Sequence, residues 1–200
     1  MMTLLGRSTS INVRKILWCL DILECPFQHI EQPDVQTLAT LNPNRLVPVL
    51  TDGDFSLWES NAILRYLARR FPDSDLYPST PTVRSLIDQW LDWQLAEFNS
   101  AWVYAFQARV RNNPDFQNAD LIEQSVRNWN DKVALLNDQL ADKDFVTGAQ
   151  FRVCDIALAL SVNRWYESIG QIGRFAHIDA YFRRCAAQKG FTDWVANGVA

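Results

Sequence analysis

The chain has 200 residues, 48% hydrophobic and 21% charged, with a formal net charge of −4. That length buries a sizeable core, in one large unit or two small ones, and the apolar content excludes a disordered chain. The acidic balance offers phosphates no neutralising excess, and no apolar run approaches the roughly 20 residues that span a bilayer, so neither a nucleic-acid partner nor a membrane is expected.

The opening residues, MMTLLGRSTS, lack a long apolar stretch and a cleavage site, so no signal peptide is expected. Thr3–Gly6 is a strand candidate, and Ile11–Leu23 has helical spacing, with Val13, Ile16, Leu17 and Leu20 on one face. Cys25-Pro26 breaks that helix, and Phe27–Ile30 forms a second strand. After the turn signal Asn42-Pro43-Asn44, the runs Val47–Leu50 and Phe55–Trp58 flank Thr51-Asp52-Gly53-Asp54, which reads as an antiparallel hairpin. Ser60–Arg70 is a helix through Ile63, Leu64 and Leu67, with Arg65, Arg69 and Arg70 on its exposed side.

Phe71–Pro81 carries Pro72, Pro78 and Pro81 and reads as a linker. Everything beyond it has helical spacing: Val83–Ala108 as one long helix, Leu121–Leu140, Asp155–Tyr166, Ile178–Ala187 and a short piece near Phe191. The expected architecture is therefore α+β, with a mixed domain over residues 1–75 and an all-α domain over 82–200. The four cysteines, Cys19, Cys25, Cys154 and Cys185, form no C-x-x-C pair and no metal-ligand spacing. Reduced thiols, no metal and a cytoplasmic location are the expectation. His29 and His177 have no nucleophile partner in sequence and are expected to be structural or at the surface.

Four segments have residues suited to chemistry or capping. Ser8, Thr9 and Ser10 precede the first helix, where a hydroxyl caps the helix or, beside its N–H groups, supports an anion such as a thiolate. Pro48 opens an apolar strand, as an edge proline or as a cis bond that turns the Val47 main chain toward an extended peptide. Glu59-Ser60 opens a helix, suited to an ammonium and a carboxylate or to capping by Ser60. Thr147–Asp155 is a turn followed by a helix start, a stability device.

Taken together, Asn42–Leu50, Leu57–Leu67 and Ser10–Lys15 resemble the soluble glutathione transferases, in the bacterial and theta-like group that uses a serine. The resemblance covers essentially the whole chain and implies a thioredoxin-like βαβαββα domain followed by a helical one, usually as a homodimer. It implies glutathione as cosubstrate, with Val47 pairing through its backbone with the cysteinyl part and Pro48 shaping that edge. Glu59 and Ser60 then meet the γ-glutamyl ammonium and carboxylate, Arg45 the glycyl carboxylate, Thr9 the neighbourhood of the bound peptide, and Ser10 the sulfur as catalytic hydroxyl. Trp102, Tyr104 and Phe106, together with Thr9, are the expected walls of a pocket for a hydrophobic electrophile between the domains. Relatives place Ser or Thr where this chain has Arg152, which leaves Asp155 as half of a capping box. The expected activity is conjugation of the thiolate to the electrophile. A zeta-like isomerase, a glutathione-dependent peroxidase or disulfide reductase, and a non-catalytic glutathione-binding protein are the alternatives on the same fold.

Overall fold

In the computed structural model, which describes residues 1–169 and 175–198, the first strand β1 (Met2–Leu5) lies inside a four-stranded sheet. It pairs in parallel with β2 (Phe27–Ile30) and antiparallel with β3 (Val49–Asp52), and β3 continues antiparallel to β4 (Phe55–Trp58), giving the order β2-β1-β3-β4. β1 begins one residue before the expected Thr3 and ends before Gly6, where φ is +140°. A Cβ at Gly6 would lie 2.7 Å from the side chains of both Val13 and Val47. That close approach lets the strand end, the first helix and the Val47 edge meet at one point.

Helix α1 (Ile11–Ile22) was expected to bury one face, yet it is buried all round from Val13 to Leu20. It packs between α3 (Ser60–Arg70), the later helix α7 (Val153–Ile169) and the short α9 (Phe191–Trp194). Between β2 and β3 stands α2 (Val35–Leu41), capped by Asp34, which accepts from the Thr37 N–H at 2.9 Å. This helix completes the βαβαββα order. Its residues have no apolar stripe to reveal it, because none of them is buried.

Beyond Arg70 every described element is a helix and, among the described residues, no further strand forms. The stretch expected as one helix over Val83–Ala108 is continuous but not uniform. α4 (Pro81–Trp93) widens into a π turn at Gln94–Phe98 and resumes as α5 (Asn99–Arg109). The wider turn sets Gln94 in the core, 99% shielded from solvent at its 1% exposure. α6 (Ala119–Gln139), α7, α8 (Ala176–Cys185) and α9 follow, and α7 is the most deeply buried, from Val153 to Trp165. All four cysteines are buried.

Two surface expectations change. Arg65 does not face solvent alone: it is half-buried and ion-paired to Asp88 and to Asp92 (2.7 Å), tying α3 to α4. The missing half of the α7 capping box is replaced rather than lost. Asp155 accepts from the Arg152 N–H at 2.8 Å and the Val146 N–H at 3.1 Å, while the Arg152 side chain reaches Asp75, 2.6 Å away in the segment between α3 and α4. That segment is further held by the Val153 N–H donating to the Leu76 carbonyl at 3.0 Å.

Candidate functional site

The residues between α2 and β3 form an exposed edge. The Val47–Pro48 bond is cis, Pro48 is buried, and Arg45 is exposed with φ at +55°. Asn42 braces the loop, accepting from the Asn44 N–H at 2.9 Å and donating to the Leu46 carbonyl at 2.8 Å. Against this edge, Glu59 and Ser60 open α3 and close a small recess of about 70 Å³ that Asn12 also lines. Glu59 is the N-cap, with φ +70° and ψ 111°, a backbone geometry that side chains disfavour.

Ser60 does not cap its helix. Its buried hydroxyl donates to Asn12 Oδ1 at 3.2 Å and accepts from Lys15 Nζ at 3.3 Å. Lys15, fully buried, also donates to Asn61 Oδ1 and to Gln94 Oε1, each at 3.1 Å. Asn61 in turn donates to the Leu91 carbonyl at 2.8 Å, and Gln94 to Ser161 at 2.9 Å. An ammonium in the core thus stands directly behind the Ser60 hydroxyl. Burial pushes it down to about 7; Arg164 pushes the same way and Glu59 opposes.

Asn12 also lines a larger cleft of about 600 Å³, together with Ser10, Ile11, Trp102 and Phe106 among others. Ser10 is the N-cap of α1 by its backbone, since the Arg14 N–H donates to its carbonyl at 2.9 Å, but its hydroxyl makes no cap bond. The Ser8 hydroxyl and N–H both donate to Glu31, each at 2.8 Å. Thr9 is exposed and lines neither this cleft nor the recess. A third hollow of about 340 Å³ contains Arg45, Val47 and Arg7. Arg7 is shared with the large cleft, and Val47 with the recess, so the three form one trough.

The structure therefore brings Ser10, Arg45, Val47, Pro48, Glu59, Ser60, Trp102 and Phe106 to this trough. Tyr104 is turned away: its ring packs on Phe116 at 5.0 Å between centroids, because it sits two residues from each of the cleft-facing aromatics on a helix. Sequence reasoning missed Asn12, Lys15, Asn61 and Gln94, and the arginines of the cleft, Arg7, Arg111 and Arg164. His29 is structural, its Nε2 lying 2.7 Å from the Gly6 carbonyl. Among the described residues no group of three or more His, Cys, Asp or Glu is placed to hold a metal, and no helix is long and apolar enough to cross a membrane.

Comparison with known proteins bears on this geometry. The family model described as glutathione S-transferase, N-terminal domain, matches residues 4–75. Glutathione S-transferase GstB of Escherichia coli (strain K12) is 37% identical over 168 residues, 80% of this chain and 80% of that protein. Glutathione S-transferase D7 of Drosophila melanogaster is 30% identical over 161 residues, 78% of this chain and 68% of that protein. Among solved structures, the theta class glutathione S-transferase from Xanthomonas axonopodis pv. citri with glutathione bound superposes with a TM-score of 0.89 at 32% identity, covering 97% of this chain and 96% of that one.

Proposed function

The chain belongs to the glutathione S-transferase family, and we infer that it is a transferase joining the thiolate of glutathione to electrophiles held in the cleft beside Ser10. The observation that carries this reading is that Asn12 lines both the recess of Glu59 and Ser60 and the cleft of Ser10. A γ-glutamyl group in the recess, with its peptide running along Val47, delivers the cysteinyl sulfur to the start of α1.

In that pose the Val47 main chain pairs with the cysteinyl unit across the edge that Pro48 shapes. Glu59 takes the ammonium. Ser60, with Lys15 behind it, takes the γ-glutamyl carboxylate. Arg45 takes the glycyl carboxylate from the adjoining hollow. A free thiol has a pKa of about 8.5, so little of it is thiolate at neutral pH. Serine is too weak a base to change that. The Ser10 hydroxyl instead donates to the sulfur anion, and the opening N–H groups of α1 add favourable potential. The thiol proton passes to solvent, and the thiolate attacks an electrophile resting on Trp102 and Phe106. The C–S bond forms as the carbon–halide bond breaks and halide leaves to water, or, in an addition, as the carbanion takes a proton from water.

The division into domains at 1–75 and 82–200 belongs to the same reading, supported by the family match over residues 4–75. So does a cytoplasmic homodimer: Phe55, Leu86 and Leu95 are each about half exposed, apolar surface that a second copy would cover. Light scattering of the purified protein tests the dimer.

The activity is tested by following 1-chloro-2,4-dinitrobenzene and glutathione with the pure protein, together with the difference spectrum of bound thiolate. A catalysed rate and a lowered thiol pKa are expected. Binding without either would make the chain a glutathione-binding protein. Isomerisation without net use of glutathione, or release of its disulfide, would instead assign the isomerase or the peroxidase and reductase chemistry.

A further inference from the structure

Resting on the transferase reading, we propose that the cleft beside Ser10 selects electrophiles that carry a carboxylate, held by Arg7 and Arg111 while their unsaturated part lies on Trp102 and Phe106. The cleft is more basic than the chain that builds it. The whole protein has a net charge of −4, yet the cleft is lined by Arg7, Arg111 and Arg164 and by no Asp or Glu.

The two exposed arginines come from distant parts of the chain. Arg7 stands in the loop before α1, and Arg111 follows the end of α5. Neither has a carboxylate within ion-pair distance among the described residues. Arg111 lies over the Phe106 ring, 5.4 Å from its centroid. The buried Arg164 lies at 4.2 Å over the same ring and 4.6 Å over Trp102. The aromatic floor is thus fixed in place beside guanidinium groups. Burial, then Arg14 and Arg111, lower Arg164 to about 9, which places these cations within one another's field.

Guanidinium forks in a cleft match a carboxylate by charge and by geometry. An electrophile with one charged end and one flat apolar end satisfies both the arginines and the aromatic rings. A purely apolar electrophile satisfies only the rings, and its binding leaves the exposed arginines with less water around them.

The test compares 4-chloro-3-nitrobenzoate with its neutral isostere 4-chloro-3-nitrobenzamide, each catalysed kcat/KM being divided by the rate constant for glutathione alone. The acid is expected to be favoured about tenfold, the effect of one charge-assisted hydrogen bond. The preference should fall toward unity in R111A and R7A, with the loss in KM of the acid. Calorimetry with the two matching S-aryl conjugates of glutathione reads the same preference without turnover. Equal treatment of acid and amide in both measurements overturns the proposal. Conjugation of 1-chloro-2,4-dinitrobenzene with no acid preference sinks only this inference and leaves the transferase reading standing. If R111A slows acid and amide alike while raising the pKa of the bound thiol, the arginine serves the sulfur, and the proposal also fails.

Discussion

The Lys15 ammonium stands 3.3 Å from the Ser60 hydroxyl, and both groups are buried. Charge on Lys15 is held down to about 7 by burial, and an anion arriving at Ser60 favours the charged form. The bound lysine therefore titrates above the free one. S-methylglutathione, which has no thiol to titrate, should bind best below pH 7 and lose about tenfold in affinity as the pH rises through that value. Calorimetry across pH 6–9 checks this, and K15M should flatten the profile. The sign for stability is opposite. The unfolded lysine keeps its proton to about 10.5, so between pH 7 and that value folding releases a proton and stability rises with pH.

Ser10 is an N-cap without a cap bond, so its hydroxyl is not committed to the helix, and in the proposed pose it meets the sulfur. S10A should lower kcat by about 10- to 100-fold while the affinity for S-methylglutathione changes little. Because no cap bond is lost, its denaturation midpoint should stay within experimental error of the wild type. A fall in stability with unchanged turnover would return Ser10 to a structural role.

Glu59 sits at φ +70° and ψ 111°. Holding a non-glycine residue there costs about 1–3 kcal/mol, more than the roughly 1 kcal/mol of added chain entropy that glycine introduces. E59G is therefore expected to raise stability in urea by about 1 kcal/mol while weakening glutathione binding, whereas E59A loses the affinity without the gain. Paired denaturation and calorimetry of the two variants decide it.

Asp155 accepts from the N–H groups of Arg152 and Val146 and lies beside the Tyr181 hydroxyl at 3.2 Å. D155A leaves those donors without their acceptor and should cost about 2–4 kcal/mol. D75A breaks only the ion pair to Arg152, whose Asp partner is 62% exposed, and should cost less than about 1 kcal/mol. Urea denaturation of both variants separates the half of the capping box that this chain keeps from the contact that replaced the other half.

Much of this arrangement was legible in the residues themselves. The hairpin, the Val47-Pro48 edge and the Glu59-Ser60 helix start each carry a local signature, so their order predicted the recess. α2 was not legible from its residues, because a helix with no buried position shows no periodic apolar face. The π turn was hidden because Gln94 interrupts the apolar spacing by one polar residue, which reads as a surface position. The buried cations were the larger omission. Periodicity assigns Arg and Lys to solvent, and Arg164 lies among apolar neighbours in α7. A signal did exist for Arg14 and Lys15: with Val13, Ile16, Leu17, Trp18, Cys19 and Leu20 around them, α1 has no polar face on which to put two charges. The cleft itself joins Arg7 to Arg111 across more than half the chain, a contact that no local pattern reports.

The burial of Cys19, Cys25, Cys154 and Cys185 matters for a glutathione transferase. Burial raises all four thiols above their ordinary pKa, so they stay protonated and out of reach. None of the four thiols is placed at the surface to compete with the thiol of glutathione. Burial shields these cysteines from alkylation and from capture as mixed disulfides in the native fold. A thiol reagent added to the native chain then counts unfolded molecules only.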